Sequence, residues 1–365
     1  MNKAYSIQVI HLADLVDESY RKGFDDPEKI ANITPQKIAA LQSNPFSHSP
    51  DDPVCLLGLS GRRVIGRLDL FLGEFLVDGI SVPAIWGSYL FVSPEQRKGG
   101  MGLSLILKMQ SLAQAVGVCG VSQMVYPIYK NLRWLDFTMP RFILIRRSRS
   151  VVNRYCGYGV HSTILAAGVD AVLWTQRRAL RLLARTGIKA RSIASAPTEW
   201  DKYLRPSARV APQRSAAWIN WAIQNGLSDD PLAKQGLFEV SDGSGRALGY
   251  FLIKQRFHST ASQQGFKDLL LCSLQDWAAF EPGRIATTDF VFQAMLVLEQ
   301  WGGDALEVCL PNSADGGRLR KYGFFSAGQL HLLVKPARGS ILSKEEFHDH
   351  TNWRIAPADG DNFLS

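Results

Sequence analysis

The sequence predicts an α+β fold with two similar units, each a mixed and mostly antiparallel sheet flanked by helices, joined by a helical linker. Residues 54–92 alternate between apolar and polar positions and are interrupted by turns at Gly61 and Gly79, which is typical of an antiparallel meander. After Val92 the apolar residues recur at helical spacing instead. The second half of the chain then repeats the order of meander, helix and strand.

The first unit, residues 1–150, is predicted to begin with a strand and two helical stretches. The second of these stretches starts at Pro35, with Thr34 as its N-cap. The meander and the helix after Val92 follow. The remaining predicted elements are a strand at residues 118–125, a short helix at residues 130–137 and a strand at residues 142–145.

Residues 151–212 are predicted to form a helical linker. Residues 168–187 have the pattern of a basic amphipathic helix, with Val169, Val172 and Leu173 on an apolar stripe and several arginines on another. A connecting helix with a solvated arginine face explains this pattern, and a role at a membrane surface stays open beside it.

The second unit, residues 213–338, repeats part of the first pattern. Its strands are predicted at residues 237–240, 247–254, 268–278, 306–310 and 329–334, and its helices at residues 290–301 and 317–322. Residues 339–365 are predicted to form a loose C-terminal tail.

The composition is that of a globular protein with an excess of positive charge. The chain has 365 residues, of which 46% are hydrophobic and 20% charged, and its formal net charge is +8. No stretch approaches the roughly 18 apolar residues of a membrane span, and the first residues lack the apolar core of a signal peptide. We therefore expect a cytoplasmic protein with no membrane span.

Charge and residue spacing narrow the choice of partners. The positive charge favours anionic partners such as the phosphates of a coenzyme. No RNA-binding or zinc-finger motif is present, so nucleic acid is not an expected partner. The five cysteines and seven histidines are scattered without ligand spacing, so neither a metal site nor a disulfide framework is expected. The sequence leaves the oligomeric state unknown.

Glycines cluster where the strand ending at Val92 is predicted to turn into a helix. Glycine lets successive backbone N–H groups converge on an anion, and the positive end of the following helix dipole points to the same place. This pattern predicts a binding site for a pyrophosphate. The motifs of P-loop and dinucleotide-binding folds are absent. The segment reads Arg97-Lys98-Gly99-Gly100-Met101-Gly102.

The form Arg-x-x-Gly-x-Gly, following a strand that ends in Val-x-Pro, resembles the coenzyme A loop of the GNAT superfamily of acyltransferases. The resemblance covers residues 6–147. It implies acetyl-CoA or another acyl-CoA as co-substrate, with the backbone of Phe91 and Val92 pairing with the pantetheine arm. It also implies that the pyrophosphate is held by Arg97, Lys98, Gly99, Gly100, Met101 and Gly102.

The second unit resembles a degenerate copy of the same fold. Residues 319–324 are similar to the late helix of GNAT domains, which closes with Gly-Phe, here Gly323 and Phe324. Residues 278–290 contain no Arg-x-x-Gly-x-Gly. Coenzyme binding is therefore expected in the first unit.

Acyl transfer from a thioester needs a base for the nucleophile. Members of the family often place a carboxylate on the strand before the loop, but residues 84–92 contain neither Asp nor Glu. Glu74 or Asp69 on the preceding strand is the substitute, and we take Glu74 as the candidate base. Such strand carboxylates are also common on ordinary protein surfaces.

The reaction also needs an acid for the leaving thiolate. The acid of the family is a tyrosine four residues before the Gly of Gly-Phe, and the sequence register puts Phe137 there, with Arg141 in place of the glycine. Leu319 takes the matching position in the second unit. Tyr126 and Tyr129, just after a predicted strand, are the candidate acids, although aromatic residues there also serve in packing.

These observations predict an acyl-CoA-dependent N-acyltransferase, with acetyl as the expected acyl group. The expected acceptor is the amine of a small molecule such as an aminosugar or an amino-acid derivative. The alternative is a catalytically inactive module that binds acyl-CoA or a protein partner, which Phe137 and the missing strand carboxylate favour. A third interpretation is a peptidoglycan-type aminoacyl transferase, which pairs two such folds but uses charged tRNA and lacks the coenzyme loop.

Overall fold

One sheet runs through both halves of the chain. The structure, a computed structural model, describes residues 5–25, 34–183, 187–205, 208–226, 230–258, 268–310 and 315–359, with the backbone alone for residues 176, 177 and 179–183. Its strands are β1 Ser6–His11, β2 Pro53–Ser60, β3 Arg63–Val77, β4 Ile80–Val92, β5 Ala115–Cys119, β6 Leu135–Ile145, β7 Lys189–Ile193, β8 Val210–Pro212, β9 Lys234–Ser241, β10 Ala247–His258, β11 Leu269–Ala279, β12 Ala305–Cys309 and β13 Phe325–Pro336. Its α-helices are α1 Leu12–Val16, α2 Glu18–Arg21, α3 Pro35–Gln42, α4 Met101–Gln110, α5 Tyr126–Asn131, α6 Arg149–Cys156, α7 Val160–Leu183, α8 Ala216–Asn225, α9 Thr287–Trp301 and α10 Gly316–Lys321.

The predicted α+β class, with a mixed sheet flanked by helices, is confirmed. The strand order is β1-β2-β3-β4-β5-β13-β6-β12-β11-β10-β9-β7, with β8 paired to β3. The pairs β4/β5 and β11/β12 are parallel, and the other strand pairs of the described residues are antiparallel.

The meander β2–β4 forms as its turns and glycines predict. Asp78 and Gly79 have φ angles of 49° and 82°, and two positive φ angles are what a type I′ hairpin turn requires. α4 lies across this meander at close range, because a Cβ atom at Gly58 would stand 2.3 Å from Sδ of Met101. Gly66 makes room for the same side chain, since a Cβ there would stand 2.8 Å from Cγ of Met101.

The first half departs from the prediction just after α4. The sequence predicts a strand at residues 118–125 and a helix at residues 130–137, but β5 ends before Gly120, whose φ is 71°. The N–H of Tyr126 donates to the carbonyl of Ser122 at 3.0 Å and starts α5. A short apolar run does not distinguish a strand end from a helix start, which explains the error.

The two halves of the chain exchange a strand. β13, from the second half, lies between two strands of the first half, so that Leu332 faces Cys119 of β5 on one side and Phe137 of β6 on the other. β6, from the first half, extends into the second by pairing with β12, where Ile143 faces Glu307. Each half therefore supplies a strand that completes the sheet of the other.

Helices cover both faces of the sheet in the second half. α9 buries Phe290, Ala294 and Leu298 against one face, as its helical pattern predicts. α8 packs Trp218 and Trp221 against the opposite face. The two hydrophobic cores therefore lie back to back across the strands.

The predicted linker is part of the sheet as well as a helical hairpin. β7 pairs with β9 and β8 pairs with β3, so both halves of the sheet are bound to it. On α7, Val169 and Val172 are exposed, and Leu173 of the predicted apolar stripe packs against the sheet. The predicted domain boundaries at residues 150, 212 and 338 stay a prediction.

Residues 339–365 are predicted to form a loose tail, but residues 340–359 are packed against the protein, and residues 360–365 lie outside the described residues. Leu342 and Phe347 are fully buried, and the ring of Trp353 lies 4.3 Å from that of Phe137. Three short 3₁₀ turns carry these apolar side chains. Such turns have no regular hydrophobic period, so the sequence gives no sign of the packing. In the part of the chain that the structure describes, no helix combines the length and the apolar character that crossing a membrane takes.

Candidate active site

A wedge-shaped cavity opens where the parallel strands β4 and β5 separate. The two strands pair only over four residues, from Ala84 opposite Ala115 to Gly87 opposite Val118. β4 then runs on to Val92 while β5 ends, which leaves a cavity of about 250 Å³ between them. We call this cavity the wedge.

A β-bulge in β4 lies at the wedge. Opposite β3, Ser88 faces Asp69 and Phe91 faces Arg67, so that two residues of β4 stand against one of β3. The first of the two, Tyr89, has a φ of 49°, which is rare outside glycine. Bulges bend the strand backbone and are frequent beside active sites.

The predicted glycine loop follows directly on β4, whose residue Leu90 lines the wedge. Residues 94–99 form a 3₁₀ turn, Gly100 has a φ of 81°, and α4 follows. The first hydrogen bond of α4 runs from the N–H of Ser104 to the carbonyl of Gly100. Helix geometry leaves the three preceding N–H groups, from Met101 to Leu103, without a carbonyl partner in α4.

The side chains of the loop differ in accessibility. Arg97 and Lys98 are exposed beside Gly99 and Gly100, and Nε of Arg97 donates to the carbonyl of Val92 at 3.3 Å. The side chain of Met101 is fully buried under the sheet. Met101 therefore offers a ligand only its main chain. Phe91 and Val92 are half-buried at the end of β4, and Gly102 is half-buried in the first turn of α4.

Tyr129 lines the wedge. Its side chain is 2% exposed, and burial raises the pKa of its phenol well above the usual value. The phenol is therefore protonated at neutral pH, as a proton donor must be.

The structure corrects the register that put Phe137 at the family's tyrosine position. α5 is followed by Arg133, whose φ is 57°, and then by Trp134, whose N–H donates to the carbonyl of Tyr129 at 3.2 Å. α10 ends in the same way, with Gly323 at a φ of 84° and the N–H of Phe324 bonded to the carbonyl of Leu319 at 3.1 Å.

Tyr129 and Leu319 are thus the equivalent residues of the two halves. Arg133 holds the place of the glycine, and Phe137 lies in β6 within the core. The sequence did not indicate this register, because Arg133, and not a glycine, adopts the left-handed conformation after the helix.

Tyr126 belongs to a polar cluster next to the wedge. Its hydroxyl donates to Oδ2 of Asp136, and its ring lies 4.5 Å from that of His331. Nδ1 of His331 lies 3.0 Å from Oδ1 of Asp136, and Oγ1 of Thr138 lies 3.3 Å from the same oxygen. Burial acts to raise the pKa of Asp136, but the hydrogen bonds from Tyr126 and His331 outweigh it and hold that pKa below the usual value. Tyr126 therefore holds Asp136, and Asp136 orients the imidazole.

Sequence reasoning missed Asp136 and His331. They stand 195 positions apart on β6 and β13 and meet only because these strands are exchanged. Neither residue lies in a motif, so no local pattern marks them.

A second cavity, of about 240 Å³, adjoins the wedge at Gly120 and Val121. We call it the central cavity, because it lies on the strands of both halves. Among the described residues, its lining includes one carboxylate and two guanidinium groups, together with an imidazole and a hydroxyl. These residues are Glu307, Arg141, Arg256, His331 and Ser273.

Contacts within the central cavity leave it with an excess of positive charge. Arg141 and Glu307 form an ion pair, and Oγ of Ser273 donates to Oε2 of Glu307 at 3.1 Å. Lys254, which faces Ser273 across the pair β10/β11, is buried. Burial, together with the charge of Arg256, lowers the pKa of Lys254 to about 7.

Glu74 lies apart from the wedge, whereas Asp69 faces the wedge residue Ser88 but has both oxygens engaged in hydrogen bonds. Glu74 faces Pro83 on β4 and lines a separate small cavity with Arg214 and Asp359. Six residues separate Pro83 from Tyr89, which corresponds to about 20 Å along a strand. Asp69 is fully buried, and both of its oxygens accept hydrogen bonds from Arg67. The structure therefore does not bring Glu74 together with Tyr126 and Tyr129.

Comparisons with known proteins identify the fold. No protein-family model matches the sequence, and no curated protein does. Among solved structures, the chain is similar to Saccharomyces cerevisiae N-myristoyltransferase with bound myristoyl-CoA, at 10% identity and a TM-score of 0.57 over 97% of this chain and 85% of that one. A second structure of that enzyme gives 10% identity and a TM-score of 0.53 over 92% and 83% of the two chains.

A tandem GNAT protein from the clavulanic acid biosynthesis pathway is also similar, at 12% identity and a TM-score of 0.48 over 91% of this chain and 98% of that one. At such identities the likeness shows the fold. The chain has the fold of these N-myristoyltransferase structures. Among the residues described, no group of three or more His, Cys, Asp or Glu side chains is placed to hold a metal ion.

Proposed function

We propose that this protein is an acyl-CoA-dependent N-acyltransferase whose thioester binds in the wedge and whose acceptor binds in the central cavity. One observation carries the proposal. The strand β4, which lines the wedge, runs into the glycine loop at the start of α4, and the wedge adjoins a second cavity that contains a histidine hydrogen-bonded to an aspartate. The similarity to an N-myristoyltransferase with bound myristoyl-CoA supports it.

The coenzyme is proposed to lie along β4, from the glycine loop into the wedge. The pyrophosphate accepts hydrogen bonds from the N–H groups at the start of α4, within the loop Arg97, Lys98, Gly99, Gly100, Met101 and Gly102. The pantetheine arm takes the place of a strand beside Phe91 and Val92, where β5 no longer pairs with β4. The wedge of about 250 Å³ must also hold the end of this arm, so we propose a short acyl group such as acetyl.

The proposed acid lines the wedge, and the proposed base lines the adjoining central cavity. Nδ1 of His331 is engaged by Asp136, so Nε2 is the nitrogen that accepts the proton of the acceptor amine. The amine nitrogen then forms a bond to the thioester carbonyl carbon, and the carbonyl oxygen becomes an oxyanion. The N–H of Leu90, in the bulge, is the proposed donor to this oxyanion.

Collapse of the intermediate completes the transfer. The C–S bond breaks as the amide forms, and the phenol of Tyr129 gives its proton to the leaving thiolate. The products are the N-acylated acceptor and free coenzyme A. Glu74 has no part in this scheme, and Tyr126 acts by holding Asp136.

The acceptor is proposed to be a small amine that also carries a negative group, as an amino-acid derivative does. The central cavity is small, and Arg141 and Arg256 outnumber its single described carboxylate, Glu307. A carboxylate or phosphate on the acceptor would meet this positive lining, because charge complementarity selects the partner. Aminosugars that carry an acidic group fit the same description.

The test is a thiol-release assay with acetyl-CoA, a long-chain acyl-CoA and a panel of amino acids and aminosugars, with mass spectrometry of the products. We expect turnover with acetyl-CoA and an acidic amine, and loss of turnover in the variant His331→Ala. Thermal stabilisation by coenzyme A without any acylated product would instead identify an inactive binding module. No stabilisation and no product would overturn the assignment of the wedge.

A further inference from the structure

The hairpin formed by α6 and α7 exposes an unusual number of apolar and aromatic side chains. Of the 19 large hydrophobic residues that the structure describes as exposed, eight lie between residues 155 and 174. Tyr155 is 79% exposed, Tyr158 77%, Val160 73% and Ile164 66%. The others in this group are Leu165, Val169, Val172 and Trp174. We call these eight residues the hairpin patch.

The hairpin is attached to the sheet along one narrow side. Oδ1 of Asp170 accepts a hydrogen bond from the N–H of Ser148 at 2.6 Å, and Oγ of Ser148 donates to the carbonyl of Ala166 at 3.1 Å. Val151 and Leu173 pack against the core. The residues of the hairpin patch lie on α6, in the connection between the two helices and on α7.

The sequence around the patch is strongly basic. Residues 146–191 contain ten Arg or Lys residues and one acidic residue, Asp170. This segment therefore has a formal charge of +9, whereas the whole chain has +8. Within this segment, α6 and α7 themselves contain five arginines and Asp170, a formal charge of +4, whereas Arg147 and Arg191, outside the two helices, form ion pairs with Asp304 and Glu239.

Aromatic residues within the patch suit the boundary between water and lipid. Tyr155, Tyr158 and Trp174 each combine an apolar ring with a polar group, which favours the headgroup region of a bilayer. The guanidinium of Arg178 lies 5.1 Å from the ring centre of Trp174. Apolar surface and positive charge thus occur on the same helix, which is the composition of helices that lie in a membrane interface.

We propose that the α6–α7 hairpin binds the surface of an anionic membrane, with the hairpin patch in contact with the lipid and the arginines near the headgroups. A second copy of the chain fits the surface less well, because two hairpins, each with a formal charge of +4, would repel each other across the contact. This binding does not depend on the acyl-transfer chemistry, so its test uses no activity measurement.

The experiment measures sedimentation of the full chain with vesicles. One set contains phosphatidylcholine alone, and the other contains phosphatidylcholine and phosphatidylserine in equal parts. We expect binding to the anionic set, with a Kd that rises as salt is added because the charges are screened. Replacing Ile164, Val172 and Trp174 together by Gln should weaken binding by at least about tenfold, since apolar burial drives interfacial binding.

Ile80→Gln is the matched control, because Ile80 is 58% exposed in the turn between β3 and β4, outside the hairpin. Its affinity should equal that of the unaltered protein. Circular dichroism melting of each variant shows that the fold is kept. Equal binding of the triple variant and the control would overturn the proposal. So would the absence of vesicle binding together with a dimer, detected by sedimentation equilibrium, that the triple variant abolishes.

Discussion

Asp136 and His331 lie side by side on β6 and β13, with 3.0 Å between Oδ1 of the aspartate and Nδ1 of the histidine, although each strand belongs to a different half of the chain. The exchange of strands is therefore what assembles the proposed base. The proposed acid, Tyr129, comes from the first half alone. A tandem arrangement of two complete and independent units would not produce this pair.

The first prediction concerns the base. His331→Ala should lower kcat by about a hundredfold or more, in line with the usual contribution of general bases, and leave the Kd of coenzyme A unchanged. Steady-state kinetics and isothermal calorimetry measure the two quantities. His161→Ala, an exposed histidine on α7, is the control and should keep full activity. An unchanged kcat in His331→Ala would rule out this role.

The second prediction concerns the acid. Tyr129→Phe keeps the ring that packs against Trp134 and removes only the hydroxyl, so the fold should persist. We expect kcat to fall by about ten- to a hundredfold, because the thiolate then leaves without a proton. Tyr126→Phe should have a smaller effect, since Asp136 keeps its contact with His331. If the two variants have the same kcat, the assignment of Tyr129 as the acid is wrong.

The third prediction concerns the coenzyme loop. Gly100→Ala places a Cβ in the left-handed region, which costs about 1 kcal/mol or more and shifts the amides that follow. The Kd of coenzyme A should rise by about tenfold, a loss of about 1.4 kcal/mol. Gly61→Ala is a close match, because Gly61 has a φ of 63° and equally open space around it but lies in the turn between β2 and β3. Calorimetry should show an unchanged Kd for this control.

The fourth prediction concerns Lys254, whose pKa of about 7 is lowered by burial and by Arg256. In the unfolded chain a lysine holds its proton up to a pH of about 10.4. Between these values the unfolded state binds more protons than the folded state, so stability rises with pH. Each unit by which the pKa is lowered corresponds to about 1.4 kcal/mol in the free energy of unfolding. The cost of burying Lys254 is therefore largest at pH 7 and below.

Lys254→Met removes this cost. The difference in melting temperature, variant minus unaltered protein, should therefore be larger at pH 7 than at pH 9. Scanning calorimetry at both pH values measures it. A difference that stays constant over this range would contradict the lowered pKa. Lys189→Met, on an exposed position of β7, serves as the comparison for a general effect of losing a lysine.

Local features of this fold could be read from the sequence, whereas contacts between distant residues could not. The turn at Asp78 and Gly79, the cap at Thr34 and the loop before α4 depend on residues within a few positions of each other. A single sequence is enough to predict them, because each depends on the side chains and backbone conformations of neighbouring residues.

The tyrosine position shows how a local pattern can still mislead. Arg133 adopts the left-handed conformation that glycine takes in Gly323, and the expected Gly-Phe becomes Arg-Trp. A register based on glycine therefore places the position at Arg141, eight residues beyond its structural equivalent, Arg133. His331 and the central cavity could not be predicted for a different reason. Strand pairing between residues 195 positions apart produces no periodic pattern in the sequence.

The position of β13 has a consequence for biosynthesis. A ribosome makes β5 and β6 long before the strand that fills the gap between them, so the nascent chain has two open strand edges until β13 has been made. Such edges invite pairing with other chains, and chaperones shield them in cells. The histidine that we propose as the base arrives on that same late strand, so in this proposal the coenzyme loop is made before the base is in place.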